Sequence, residues 1–512
     1  MSISVHPDAL EPLFSSESST PRPLLACEKL GRRPKILIVT PELSESSLLA
    51  LDGKRAPCVK AGGLGDVSAL LLDSLAEAGA DVHVALPHFR KLFQSKPDEH
   101  STQLHLCEDR EFYYRRSVYD GCPDSNLRAS LAFQRDVIHY VMPRIRPDII
   151  HCHDWMTGLV PAAARTMGIP SLFTLHNLHD ERALLCQIED RGIDAAKFWE
   201  HLYFWNYPGS YENAREHNPI SMLASGILAA DQVNTVSPTF LQELASGRHG
   251  TPWPVVDAIR GKLGAGRAHG ILNALPGGLS PATDNHLPER YDSSSHVPGK
   301  RVNKRALQLL LGLEEDQDAP VLFWPSRLDP VQKGCDLLAD ILYRLVSDYW
   351  ALGLQVVFIA DGPHHHHFET IARFHGLQNR IAVRHFSESF SRLGYAGSDF
   401  TLMPSSYEPC GLSQLIGLRY GSLPIVHATG GLRDTVTSLN SGAKTGNGFL
   451  FESYNAEGLR WAIDEAIRFH LRPASVREEN ITRIMNDATD ESQATAMVDH
   501  YLGIYQDLLN LR

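Results

Sequence analysis

The sequence predicts an α/β protein of two domains, each built on a parallel sheet, with a cleft between them. Three observations carry this. Short β-branched runs alternate with stretches of helical apolar spacing in both halves of the chain. The alternation restarts after Ile271–Lys300, a stretch rich in Pro, Gly and Ser that reads as a linker. And 512 residues are too many for one hydrophobic core.

In chain order, residues 1–33 are rich in Ser, Pro and Glu, lack periodicity and read as a flexible leader. Lys35–Thr40 (KILIVT) is a short β-branched strand. Gly62–Ala80 has the apolar spacing of a helix, and Asp81–Pro87 (DVHVALP) is the next strand. Strand Pro147–His153 leads to a helix over Trp155–Gly168, and Ser171–Asn177 and Asp231–Pro238 are strands. Beyond the linker, Gly299–Leu313 is a basic amphipathic helix, Ala319–Leu328 a strand and Cys335–Trp350 a helix. Four more strands follow at 354–362, 380–386, 399–405 and 423–429, with helices between them. Parallel strands need crossovers of this kind, so the alternation implies parallel sheets.

Composition narrows the class. The chain is 43% hydrophobic and 21% charged, as in ordinary globular enzymes. A net charge of −12 and a pI near 6.1 argue against a nucleic-acid binder, which carries a basic footprint. No run of 18 apolar residues predicts a membrane span, and the first residues lack the pattern of a secretory signal. Eight cysteines without tight spacing read as free thiols of a cytoplasmic protein.

In such sheets ligands sit beyond the carboxyl ends of the strands. Lys60–Asp66 (KAGGLGD) lies between a strand and a helix. Gly62 and Gly63 let backbone N–H groups approach a ligand, the helix N-terminus favours an anion, and Lys60 adds a positive charge. An unliganded tight turn fits the same residues. A second such turn, Thr429-Gly430-Gly431, follows strand 423–429 and opens a helix, with Thr429 placed to cap it. One turn per domain sets the two facing each other across the cleft. Arg327 at a strand end and Lys333 near a helix start can neutralise a diphosphate, or be ordinary surface charges. Strand 399–405 delivers Glu408 to a helix N-terminus, where a carboxylate is stabilised as an anion and accepts hydrogen bonds from sugar hydroxyls. A plain helix cap is the alternative for Glu408.

KAGGL, HCHDW, FTLHN, ILN, SRL with QKG, YEPCGLSQ and TGGLRDTV occur in this order. Together they resemble the motifs of bacterial glycogen synthases and plant starch synthases, glycosyltransferase family 5, over nearly everything from Lys35 to about Leu508. The resemblance implies the GT-B fold, two Rossmann-like parallel-sheet domains facing a deep cleft. An acceptor and catalytic domain would span 34–285 and a nucleotide-sugar domain 286–480, with a C-terminal helix at 481–512 returning to the first domain. It implies a retaining glucosyltransferase that elongates an α-1,4-glucan (glycogen or a malto-oligosaccharide) from ADP-glucose, with no cofactor and no metal. By the same resemblance Lys60, Gly62 and Gly63 line the donor's phosphate and glucose region, and Asp66 contacts the sugar. Asp154 supports this cleft, His176 contacts the transferring glucose, and Asn273 matches a cleft position. Arg327 and Lys333 would hold the diphosphate and stabilise the leaving ADP. Glu408 would fix the transferring glucose, with Cys410, Gly411 and Leu412 close to it, and Thr429, Gly430 and Gly431 would complete the phosphate cradle.

The chemistry fits these roles. Transfer breaks the bond between the anomeric carbon and a phosphate oxygen, so charge on the leaving group must be stabilised and the acceptor hydroxyl placed. The leaving phosphate can accept the acceptor's proton, which makes Glu408 an orienting group.

Some stretches depart from the family. Pro41–Val59 is longer and reads as a flap over the acceptor groove or an exposed loop. Leu275-Pro276-Gly277 stands where an acidic residue is usual, and one extra residue separates Arg327 from Lys333, with Pro330 included. His364–His367 read as an exposed helix start, because four consecutive helical residues cannot face one ion. Asp316–Asp318 (DQD) precedes a strand and reads as a solvated loop. His151 and His153 share a strand face, and the match to HDW assigns them to the sugar cleft in preference to a metal. Two alternatives stay open: a donor or acceptor such as UDP-glucose or a sucrose-type sugar, and a non-catalytic glucan-binding relative. The presence of Lys60, His176, Arg327 and Glu408 speaks against the second.

Overall fold

Fifteen strands form two parallel sheets and one small antiparallel pair among the described residues, which are 32–49, 58–93, 101–275, 279–489 and 492–511 of this computed structural model. The leader to residue 31, the centre of the Pro41–Val59 stretch and Pro276-Gly277 lie outside them. The chain runs through β1 (Lys35–Val39), β2 (Asp81–Pro87), β3 (Leu104–Cys107), β4 (Ile149–His153) and β5 (Ser171–Leu175). An antiparallel pair follows, β6 (Arg182–Ala183) with β7 (Ile220–Ser221), and then β8 (Gln232–Thr235) and β9 (Ala268–Gly270). All but that pair join one parallel sheet in the order β3-β2-β1-β4-β5-β8-β9. The second sheet holds β10 (Val321–Trp324), β11 (Gln355–Ile359), β12 (Ile381–Arg384), β13 (Phe400–Met403), β14 (Leu423–His427) and β15 (Phe449–Phe451). Its order is β12-β11-β10-β13-β14-β15, again parallel. The central strands are buried along their whole length, as in sheets covered by helices on both faces.

Strand order reverses between β1 and β4, and again between β10 and β13. At such a switch the crossover helices leave on opposite faces and open a crevice beyond the carboxyl ends. In the first sheet that crevice receives Thr40–Glu42 and His153-Asp154. In the second it receives Ser326-Arg327 and Ser405–Glu408.

The structure corrects several boundaries. Trp155–Gly168 is not one helix: a 3₁₀ turn at Trp155–Thr157 precedes a helix at Val160–Thr166, with Pro161 in its first turn, where a missing N–H costs nothing. Ile271–Lys300 is not a free linker. Its second half docks on the second sheet, with Tyr291 OH donating to Tyr420 O (2.8 Å), Tyr420 OH donating to Asp284 (2.6 Å), and a helix starting at His296. The boundary at 480/481 falls inside the helix Ala474–Thr489, whose Ile484 and Met485 pack into the second sheet's core. The helix Ser492–Asn510 instead lays Tyr501, Tyr505, Leu508 and Leu509 into the core of the first sheet. β3, β9 and β15 were not expected. Each is only three or four residues long, and alignment beside a longer neighbour makes it a strand.

The two sheet units meet. Thr239 donates to Asp434 through its amide (2.9 Å) and its hydroxyl (2.5 Å), joining a helix at Pro238–Ser246 to the helix at Gly430–Thr435. No helix among the described residues is long and apolar enough to cross a membrane.

Candidate active site

The second sheet's crevice is built by two loops held together. After β10, Asp329 shapes the turn: its Oδ1 accepts from the Val331 and Gln332 amides (2.9 Å each), and its carbonyl accepts from the Lys333 amide (3.1 Å). Pro330 is accommodated within this turn. After β13, the Ser406 amide donates to Gln332 O (2.8 Å) and its hydroxyl to Val331 O (2.8 Å). This pairing brings Lys333 Nζ to 2.6 Å from Glu408 Oε2, where Ser405 Oγ also donates at 3.0 Å. The two charged side chains are 12% and 8% exposed, so their attraction acts at low dielectric. Arg327 is different. Its side chain is 61% exposed, and its acid neighbour Asp329 stands 3.9 Å away. One cation is committed to Glu408 and the other is open to a ligand.

Glu408 does not sit at a helix N-terminus as expected. The next helix begins only at Ser413, and the intervening Cys410-Gly411-Leu412 turn is held by Gln414 Nε2, which donates to Cys410 O (3.1 Å) and Gly411 O (2.9 Å). Cys410 is buried, which pushes its thiol up to about 12, and the Asn273 backbone N–H bonds to its sulfur. Asn273 itself is buried beside this turn.

The phosphate cradle expected at Thr429–Gly431 is also corrected. Every amide of that turn has a protein acceptor: Thr429 N donates to His427 O, Gly430 N to Glu243 Oε2, Gly431 N to Glu408 O and Leu432 N to Thr429 O. The Thr429 hydroxyl does not cap its own helix; it donates to Glu243 (3.0 Å), a residue of the first unit. The His249 ring nitrogen pairs with the same carboxylate at 3.1 Å and, with the Gly430 and Thr429 donors, holds it low against the opposing effect of burial. The glycines serve packing. Gly430 has φ +45°, and a Cβ there would lie 1.9 Å from Glu408 O. Gly430→Ala is therefore expected to cost about 1–3 kcal/mol through overpacking and to lower turnover by displacing Glu408. A denaturant midpoint and a rate equal to wild type would contradict this.

The first sheet's crevice centres on a carboxylate the sequence reading missed. Glu42 follows β1 and is buried; its Oε2 accepts from the Ala61 (2.7 Å) and Gly62 (2.8 Å) amides and its Oε1 from Tyr119 OH (2.8 Å). Burial raises its carboxyl above the usual range against the pull of these donors. Those two amides are thus taken, while the Gly63 and Leu64 amides that open the helix Gly63–Glu77 have no acceptor among the described residues. A Cβ on Gly62 would meet nothing within 4 Å, whereas one on Gly63 would lie 2.9 Å from Leu412 Cδ1 of the second unit. The first turn therefore faces the Cys410–Leu412 turn. Lys60 Nζ pairs with Asp66 Oδ2 (2.5 Å), and Ser44 Oγ donates to Asp66 Oδ1 (2.6 Å), so Asp66 is held by protein groups.

Asp154 directly follows β4 with φ 58° and ψ 179°, a region rarely populated by anything but glycine. This backbone aims Oδ1 at the amide of His176, 2.6 Å away at the end of β5. Burial pushes the Asp154 carboxyl up to about 7, against the pull of the His176 and Asn177 amides. Burial brings His176 down to about 3, so its ring is neutral at physiological pH. His176 Nε2 lies 2.9 Å from His153 Nδ1.

The His364–His367 run is not an exposed helix start throughout. His365 is largely covered, stacks on His385 with centroids 4.1 Å apart and bonds to Ala360 O, and His364 reaches Asp336. Glu243 and His153 also belong to the site region. Glu42 carried a signal, a carboxylate directly after the first strand. Glu243 carried none, since Thr429 and Gly430, which donate to it, come from the other unit.

A family model for the starch synthase catalytic domain matches residues 35–253, and one for glycosyl transferases group 1 matches residues 312–481. The glycogen synthase of Exiguobacterium sibiricum is 33% identical over 500 residues, spanning 88% of this chain and 96% of that protein. The chain belongs to the glycogen and starch synthase family. The glycogen synthase of Geobacillus stearothermophilus is 32% identical over 470 residues, 84% of this chain and 92% of that one. The catalytic domain of starch synthase IV from Arabidopsis thaliana, solved with ADP and acarbose, has a TM-score of 0.75 at 26% identity and covers 94% of this chain and all of that one. Sucrose-phosphate synthase from Thermosynechococcus elongatus, with a TM-score of 0.57 at 19% identity, shares the fold. As a glycogen and starch synthase family member, the protein is a glucosyltransferase of GT-B architecture, its two parallel sheets being those described above.

Proposed function

We propose that this glucosyltransferase lengthens an α-1,4-glucan at its non-reducing end with glucose from ADP-glucose, with retention at the anomeric carbon and without a metal. The first sheet unit would hold the acceptor and the second the nucleotide sugar. The observation that carries this reading is the arrangement at the β10/β13 crevice, an open Arg327 beside the buried Lys333–Glu408 pair. The ADP bound to the Arabidopsis relative supports the choice of nucleotide.

In this reading Arg327 and the free amides of Gly63 and Leu64 receive the diphosphate, where negative charge grows as the bond from the anomeric carbon to the phosphate oxygen breaks. Glu408, oriented by Lys333 and Ser405, places negative charge beside the positive centre that develops on the sugar. The acceptor hydroxyl forms the new bond to the anomeric carbon, and its proton passes to the leaving phosphate oxygen. His176 is neutral and serves as a hydrogen-bonding group to the sugar. Asp154 fixes the His176 backbone, and Asp66, held by Lys60 and Ser44, borders the same crevice.

Purified protein with glycogen is expected to release ADP from ADP-glucose at least as fast as UDP from UDP-glucose, in the presence of a chelator. Transfer from UDP-glucose alone would overturn the donor assignment. Loss of activity with chelator, restored by a divalent cation, would overturn the metal-free part.

A further inference from the structure

A row of polar residues crosses the interior of the first sheet. His153, Thr174 and Asn234 are register partners on β4, β5 and β8, and all three are fully buried. Strands covered on both faces are ordinarily apolar, and buried polar groups persist where they are bonded. Here the helix Ser492–Asn510 lays Tyr501 and Tyr505, both fully buried, over the row.

The proton positions follow one from another. Thr174 Oγ1 donates its single proton to Asn234 Oδ1 (2.5 Å), and Asn234 Nδ2 donates to Tyr501 OH (2.9 Å). Thr174 Oγ1 must then accept from His151 Nε2, 2.6 Å away. His151 therefore carries its proton on Nε2, and its Nδ1 accepts from Tyr505 OH (2.7 Å). The His151 ring lies against His153, centroids 4.1 Å apart. His153 Nε2 is enclosed and has no partner, so a proton there would be a buried donor without an acceptor. The proton sits instead on His153 Nδ1, which donates to His176 Nε2. His176 is left with its proton on Nδ1, a nitrogen that is not enclosed and has no partner among the described residues.

We infer that His153 sets the tautomer of His176, presenting Nδ1–H to the sugar as a hydrogen-bond donor, and that Tyr505 and Tyr501 of the last helix hold this relay in place through His151, Thr174 and Asn234. The last helix is then a positioning element of the active site as well as a cover for the sheet. The inference rests on the reading of His176 as a sugar contact. Burial keeps all three histidines neutral, so the relay orients and does not carry charge. The other tautomer would present a lone pair to the sugar in place of this donor.

The test uses the full-length protein with ¹⁵N-labelled histidine rings, the His176 signals being assigned by their loss in His176→Ala. Wild type is expected to show His176 protonated on Nδ1; protonation on Nε2 overturns the inference. His153→Leu is expected to scramble this state and lower kcat about tenfold or more with the KM for glycogen unchanged. His153→Asn, whose amide offers a donor near the place of Nδ1, is expected to restore most of the rate; an Asn variant no better than Leu overturns the inference. Tyr505→Phe removes one hydroxyl only and keeps the question open to decision if His153→Leu does not fold. A smaller fall in kcat with altered histidine signals supports the relay, and unchanged signals overturn the role of the helix. If His176→Ala is inactive while His153→Leu and Tyr505→Phe match wild type, the relay fails and the site reading stands. Wild-type activity in His176→Ala makes the site reading itself fail.

Discussion

Glu408→Gln is expected to lower turnover by about a hundredfold or more, with the KM for glycogen close to wild type. The substitution keeps the shape of the side chain and removes its charge. That charge does two things in the structure: it faces the β10/β13 crevice, and it neutralises Lys333 at 2.6 Å in a place where the two side chains are 12% and 8% exposed. Breaking a buried pair by removing one member leaves the other charge uncompensated, at a cost of about 3–5 kcal/mol. Stability should therefore fall in Glu408→Gln and recover in part when Lys333→Met is added, because no stranded charge remains. Turnover should not recover. The double variant should be little slower than the slower single, since the two groups act as one unit. Independent, multiplying losses would show that Lys333 and Glu408 work separately, and near-normal turnover in Glu408→Gln would remove it from the reaction.

Arg327→Ala is expected to reduce kcat/KM for ADP-glucose by about a hundredfold or more. Here stability should stay at the wild-type value. The guanidinium is 61% exposed, stands 3.9 Å from Asp329 and makes only a long contact of 3.5 Å to Gln332 Oε1, so its removal leaves no buried charge unpaired. The contrast with Glu408 is the sharp part of the prediction: one variant loses rate and stability, the other loses rate alone. Arg327→Lys should recover only part of the loss, because an ammonium cannot reproduce a planar fork against two phosphate oxygens. Equal losses in donor and glucan parameters, or a lowered denaturant midpoint in Arg327→Ala, would contradict a role confined to the diphosphate.

The long central strands were legible because a fully buried strand is a continuous apolar run. VLFW and QVVFI announce β10 and β11 without help from any other part of the chain. AHG does not announce β9, and LHLC does not announce β3, since their strand character comes from the neighbour each pairs with. The glycine turns were legible as turns. Their hydrogen bonding was not. KAGGLGD and TGGLRDTV look alike as sequences, yet Glu42 takes two amides of the first and leaves the helix opening free, while Glu243 and the Glu408 carbonyl close the second. Glu243 lies far from Gly430 in sequence, and nothing local to either marks the contact.

The sequence by itself determined the two parallel sheets, the two loops that carry Arg327 and Glu408, and the order of the motifs, because periodicity and turn chemistry are local properties of the chain. Only the tertiary structure decided which charges are paired and which are open. Lys333 meets Glu408 because the loops after β10 and β13 are bonded backbone to backbone. His176 is neutral because burial at the end of β5, against the His153 ring of β4, disfavours its charged form. Charge state, tautomer and the occupancy of an amide depend on what lies within a few ångströms in space, and chain folding sets that through residues hundreds of positions apart, as with His151 and Tyr505.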